Sequence, residues 1–132
     1  MTARHLRRPL LAATAAVAFA LSHAAAGSPE GPAKDEIDHL LQYVAASSCT
    51  FVRNGSEYSA DKAREHLTDK YRFAGSRIST AEEFIRYLAT KSSFSGEAYH
   101  VKCGKIDALS AAWLNAELER YRKAAHLQHV SQ

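Results

Sequence analysis

Residues 49–71 read CTFVRNGSEYSADKAREHLTDKY, and they set the fold class because a strand, a tight turn and a capped helix follow one another without a break. Cys49, Phe51 and Arg53 alternate with Thr50 and Val52, and the β-branched and aromatic content suits a pleated strand. Asn54-Gly55 is the dipeptide that best tolerates positive φ at two successive positions, so it predicts a hairpin turn returning through Ser56 to Tyr58. Ser59 is then placed to cap a helix by accepting a hydrogen bond from an amide near Asp61 or Lys62, with Asp61 at the positive end of the helix dipole. Ala60, Ala63, Leu67 and Tyr71 fall on one face of that helix, with His66 and Lys70 beside it.

Toward the N-terminus, Arg4, Arg7 and Arg8 precede an apolar run from Leu10 to Leu21, followed by small residues at Ser22-His23-Ala24 or Ala24-Ala25-Ala26. That order reads as a secretory signal peptide over 1–26. The apolar run is about 12 residues, well short of the roughly 20 that span a bilayer as a helix, so no permanent membrane span is expected once the signal is cleaved. Three of the 17 basic residues and none of the 14 acidic ones lie in this segment, so the remaining chain carries fourteen of each. A neutral, interspersed surface offers no electrostatic footprint for nucleic acid. About 105 residues are left, enough for one domain with one core.

Residues 27–34 (GSPEGPAK) read as a flexible leader, and 35–126 as a single α+β domain of about four helices with a small antiparallel sheet. Ile37, Leu40, Leu41 and Val44 give the first helix its apolar face and leave His39 on its polar side. After the central stretch, 72–77 (RFAGSR) reads as a loop. Ser79 with Glu82 and Thr80 with Glu83 both have capping-box spacing, ahead of a helix burying Ala81, Phe84, Ile85 and Leu88. The segment 90–96 (TKSSFSG) reads as a polar loop. Tyr99, Val101 and Cys103 then alternate with His100 and Lys102 as a further strand. Gly104-Lys105 turns the chain, Asp107 or Ser110 caps, and Ala111, Leu114, Leu118, Tyr121 and Ala125 mark a final helix, with Trp113 on its flank and a frayed tail over 127–132. Cys49 and Cys103 are the two cysteines of the chain, and an exported protein meets an oxidising compartment, so they are expected to pair. Neither sits in a Cys-x-x-Cys or beside a histidine at ligand spacing, so no metal site and no cofactor are expected.

The blocks RNG at 53–55, His66-Leu67, TAEEFI at 80–85, SSFSGEAY at 92–99 and Trp113-Leu114 occur in an order that resembles the YfeK-like family, small periplasmic proteins of proteobacteria classed as a domain of unknown function. The resemblance covers roughly 49–121. It implies export to the periplasm and one domain, and it implies no activity, catalytic residue or ligand, since the family has none established.

No G-x-S-x-G, H-E-x-x-H or phosphate-binding glycine loop is present. The candidate site residues are Arg53, Asn54, Glu57, His66, Ser92 and Ser93. Arg53 and Glu57 flank the turn, where their side chains are placed to meet across the hairpin as an ion pair. His66 reads either as a histidine at the edge of a helix face or as a base acting on Ser92 or Ser93 in a small hydrolase. The sequence favours a non-catalytic module of the cell envelope that binds another protein or a cell-wall component through the 53–58 turn and the 92–96 loop. The hydrolase is the alternative, and an accessory factor without a stable ligand is a third.

Overall fold

The computed structural model describes residues 29–131; the expected signal segment lies outside them. Helix α1 spans Pro32–Ala46, strands β1 Thr50–Arg53 and β2 Ser56–Tyr58, helix α2 Ala60–Ala74, helix α3 Ala81–Leu88, strands β3 His100–Cys103 and β4 Ile106–Leu109, and helix α4 Ser110–Val130. This is an α+β fold of four α-helices and a four-stranded antiparallel sheet in the order β2-β1-β3-β4. A short 3₁₀ turn, Gly75–Arg77, joins α2 to the approach of α3.

The hairpin forms where Asn54 and Gly55 direct it. Both have positive φ, 52° and 75°, so the turn twists in the sense that the flanking strands need. Pairing of Phe51 with Tyr58 on one side and Val101 on the other then makes β1 a central strand. Phe51 and Val101 face the helices and are buried, and Val101 sits opposite Ala108 of β4. Beneath them Ile37, Leu40 and Val44 of α1, Phe84 and Ile85 of α3, and Leu114 and Leu118 of α4 fill the core. The other sheet face is wet and carries the pairs Lys102–Glu57 (2.7 Å) and His100–Asp107 (3.1 Å). The register sets Thr50 opposite Lys102, which brings the next positions, Cys49 and Cys103, together. They are disulfide-bonded, with Cα atoms 4.7 Å apart.

Start signals behave as side-chain chemistry predicts. Ser59 accepts from the Lys62 amide, and Thr80 accepts from the Glu83 amide while Glu83 reaches back to the Ser79 N–H. Elsewhere the chain departs from expectation. Helix α1 begins at Pro32, three residues inside the expected leader, because proline at the first helical position has a suitable φ and forfeits an amide that would be unpaired anyway. Most of 72–77 is helical, since α2 continues to Ala74 and stops only at Gly75, whose φ is 54°. Segment 106–109 is a fourth strand, not a turn and cap. Asp107 is committed to His100, and Ser110 is the buried first residue of α4, its N–H donating to the Tyr99 carbonyl. Helix α4 passes His126 and ends at Val130, there being no glycine or proline after Ser110 to stop it.

His39 is not a lone surface histidine. It stacks on Tyr121, and its Nε2 lies 2.7 Å from Oε1 of Glu117, a buried carboxylate that also takes the Arg120 guanidinium. Burying a charge demands such partners, and here they tie α1 to α4. Arg122 adds a second tie by bridging Glu36 of α1 and Glu82 of α3.

Candidate functional site

Three elements bring the site together. Arg53 ends β1 on the same strand face as Phe51, so its side chain runs toward α2. His66 and Lys70 are four residues apart on α2 and share a helix face. Tyr99 immediately precedes β3, and its N–H donates to the Thr90 carbonyl, which closes the polar loop between them at its base. Arg53 Nη1 lies 3.0 Å from both ring nitrogens of His66, and His66 Nε2 is 3.3 Å from the Tyr99 hydroxyl. Lys70 Nζ donates to the Leu88 carbonyl at 2.7 Å and lies 3.4 Å from the Tyr99 hydroxyl and 3.5 Å from the Lys91 carbonyl. The Arg53 guanidinium also lies over the Tyr58 ring, 5.2 Å from its centroid.

The 92–96 loop is held by its own serines. Ser92 is buried, and its hydroxyl accepts from the amides of Phe94 and Ser95, both at 3.3 Å. The Ser95 hydroxyl donates to the Asn54 side-chain oxygen and so joins this loop to the hairpin turn. Arg53, Asn54, His66, Ser92 and Ser93 consequently line one cavity of about 380 Å³, together with Lys70 and Tyr99. A second cavity, of about 280 Å³, shares Arg53, His66 and Tyr99 and extends over Phe51, Tyr58 and Leu67.

One expectation fails. Glu57 pairs across the hairpin with Val52 and not with Arg53, so it points to the wet sheet face and binds Lys102. The residue opposite Arg53 is Ser56. A two-residue turn fixes this register, and residues at 53 and 57 then alternate onto opposite faces. His66 forms no hydrogen bond with Ser92 or Ser93; its nitrogens face Arg53 and Tyr99, and the Ser92 hydroxyl is engaged by two amides. Sequence reasoning passed over Lys70, whose signal was its four-residue spacing from His66, and Tyr99, which alternation assigned to the core.

The electrostatics are those of a partly buried cationic cluster. Burial first, then Arg53 and Lys70, push the His66 pKa below its ordinary value, against a small opposing pull from Asp69. Burial and then Arg53 lower the Lys70 pKa in the same way, while burial raises that of Tyr99. Neither Arg53 nor Lys70 has a carboxylate within ion-pair distance among the described residues. Nor do three His, Cys, Asp or Glu side chains cluster there as a metal would require, and no described helix is long and apolar enough to cross a membrane.

A depressed histidine pKa has a definite consequence for stability. As pH falls below about 6.5, the unfolded chain takes up a proton at His66 before the folded one does, so stability is lost on acidification. We expect the urea midpoint to fall between pH 7.5 and pH 5.5, and His66→Gln to make that fall shallower. Identical slopes in the two proteins would show that Arg53 and burial do not hold His66 neutral.

The fold and cavity define a class: a small disulfide-tied α+β domain with a cationic cavity between a hairpin turn and a serine-rich loop. The profile of a family of unknown function, DUF5329, matches residues 32–122, and the chain belongs to that family. It is 36% identical over 86 residues to the uncharacterized protein YfeK of Salmonella typhimurium, covering 64% of this chain and 72% of that protein. No solved structure matches the chain.

Proposed function

We propose that the protein is a non-catalytic binding module of the cell envelope, exported by its N-terminal segment, which recognises another envelope protein or a cell-wall component where the 53–58 turn meets the 92–96 loop. The observation that carries this reading is the junction of the two loops, sealed by Asn54 and Ser95, around a cavity that holds Arg53 and Lys70 without a carboxylate among the described residues. A charge kept partly out of water and unpaired within the chain costs stability, and such a cost is ordinarily met at places where a partner supplies the counter-charge. The Cys49–Cys103 bond suits the oxidising compartment that the export reading requires.

The test is crosslinking in the native envelope with tagged protein and the Arg53→Ala and His66→Ala variants in parallel. A discrete partner captured by the wild type is expected to disappear with Arg53→Ala. Capture that is unchanged in both variants would remove this surface from the reading.

A further inference from the structure

Arg53 is only partly engaged. Its Nη1 faces His66, its Nη2 makes no hydrogen bond among the described residues, and its Nε is buried with no partner. Two acids, Glu65 and Asp69, also line the second cavity, and they pair with Lys62 at 2.6 Å and with Arg72 at 3.8 Å rather than with Arg53. Lys70 adds charge but few free donors, because its ammonium is spread over two carbonyls and the Tyr99 hydroxyl. The site thus has a positive potential and one guanidinium whose Nη2 is left without a partner among the described residues.

From Arg53 and the two adjoining cavities we infer that the protein binds a monocarboxylate with an apolar body: the carboxyl group pairs with Arg53, and the body enters the cavity over Phe51, Tyr58 and Leu67. This rests on the proposed function in taking the cavity as a binding site, and it adds the chemistry of what is bound. A planar guanidinium matches the two coplanar oxygens of a carboxylate. A tetrahedral phosphate calls for donors on several sides, commonly a nest of loop amides, and here the Phe94 and Ser95 amides are turned onto Ser92 instead. The body has a place because the second cavity, about 280 Å³, shares Arg53, His66 and Tyr99 with the first. An apolar cavity of about 150 Å³ holds a benzene ring, so one ring and a short chain fit. Either a free acid or the C-terminal residue of a peptide presents this chemistry, an apolar group two or three bonds from a carboxylate.

The experiment is calorimetric titration of the disulfide-bonded protein with four probes: 3-phenylpropionate, 3-phenylpropanamide, a pentapeptide ending in phenylalanine with a free carboxylate, and inorganic phosphate. The free acid is expected to bind at least about tenfold more tightly than its amide, since the amide cannot form the charge-assisted pair. Arg53→Gln is expected to reduce that difference to less than twofold, and Tyr58→Ala, which removes apolar lining and the ring beneath the Arg53 guanidinium, to weaken the acid. The acid and amide are compared on the wild type, so the test stands even if a variant fails to fold. Tighter binding of the peptide than of the free acid assigns the site to chain termini, and the reverse assigns it to small acids; both support the inference. Equal binding of acid and amide overturns it, as does phosphate binding more tightly than the acid, or the absence of heat with every probe. Silence from all probes while crosslinked capture still depends on Arg53 sinks the carboxylate and leaves the binding module standing; acid binding without any captured partner does the opposite.

Discussion

Replacing both Cys49 and Cys103 with serine is expected to lower the unfolding free energy by about 4 kcal/mol, the chain-entropy value for a loop of this length. The bond joins residues 54 apart and closes a loop containing β1, β2, α2, α3, the polar segment before β3 and β3 itself. The unfolded chain without it regains the freedom of that whole loop, whereas the folded sheet keeps its β1–β3 register through backbone hydrogen bonds. Domains of this size are stable by only about 5–15 kcal/mol, so the loss is a large fraction of the total. Urea denaturation should show a lower midpoint for the serine variant and for the reduced wild type alike. The slope should also steepen, because an uncrosslinked denatured state exposes more surface. A shift below about 1 kcal/mol would mean that the denatured chain stays as compact without the bond as with it.

That pairing is legible from the expected export and the cysteine count, and the hairpin beside it from two residues, Asn54 and Gly55, whose positive φ is a local property of the chain. The helix starts at Ser59 and Thr80 were legible for the same reason, since an N-cap bonds to an amide three residues away. Strand β4 was not. Of its residues Ile106 and Leu109 are exposed and only Ala108 packs on the core, so no alternation marks it; it exists because the Gly104 turn returns the chain along β3. The Glu117–His39 pair was hidden likewise, because two polar residues 78 positions apart carry no sign of each other until α1 and α4 pack.

The candidate site shows the same division. Arg53, Asn54, Ser92 and Ser93 stand out as residue types beside turns and loops and His66 as a histidine at the edge of a helix face, and their meeting around one cavity depends on how β1, α2 and the loop before β3 pack. Glu57 lies close to Arg53 in sequence, but strand register and not sequence distance decides which side chains meet across a turn, and register sends Glu57 to the opposite face. Tyr99 and Lys70 were read by local pattern alone, although each reaches the cavity through a polar tip at the end of an otherwise packed side chain.

Phe84→Ala is expected to cost about 3–5 kcal/mol, comparable with loss of the disulfide but through the folded state. Phe84 is fully buried, and its ring meets that of Tyr71 edge to face at 5.7 Å, so it joins α3 to α2. Helix α3 has eight residues, too few to hold together in water without packing, and its apolar stripe is Ala81, Phe84, Ile85 and Leu88. Removing the largest member leaves a cavity that a short helix pinned at Thr80 and by Arg122–Glu82 cannot readily close. The consequence reaches the candidate site, because the Leu88 carbonyl at the end of α3 is the shortest hydrogen-bond partner of Lys70. Loosening α3 should therefore release Lys70 as well as lower the midpoint. Hydrogen exchange at α3 and at residues 88–92 measures the first effect, and equilibrium unfolding measures the second. Phe84→Leu, which keeps most of the apolar volume, should lose less stability and leave the exchange of that segment close to wild type. A Phe84→Ala protein with unchanged exchange there would separate the core from the site, and α3 would then be no more than a packing element.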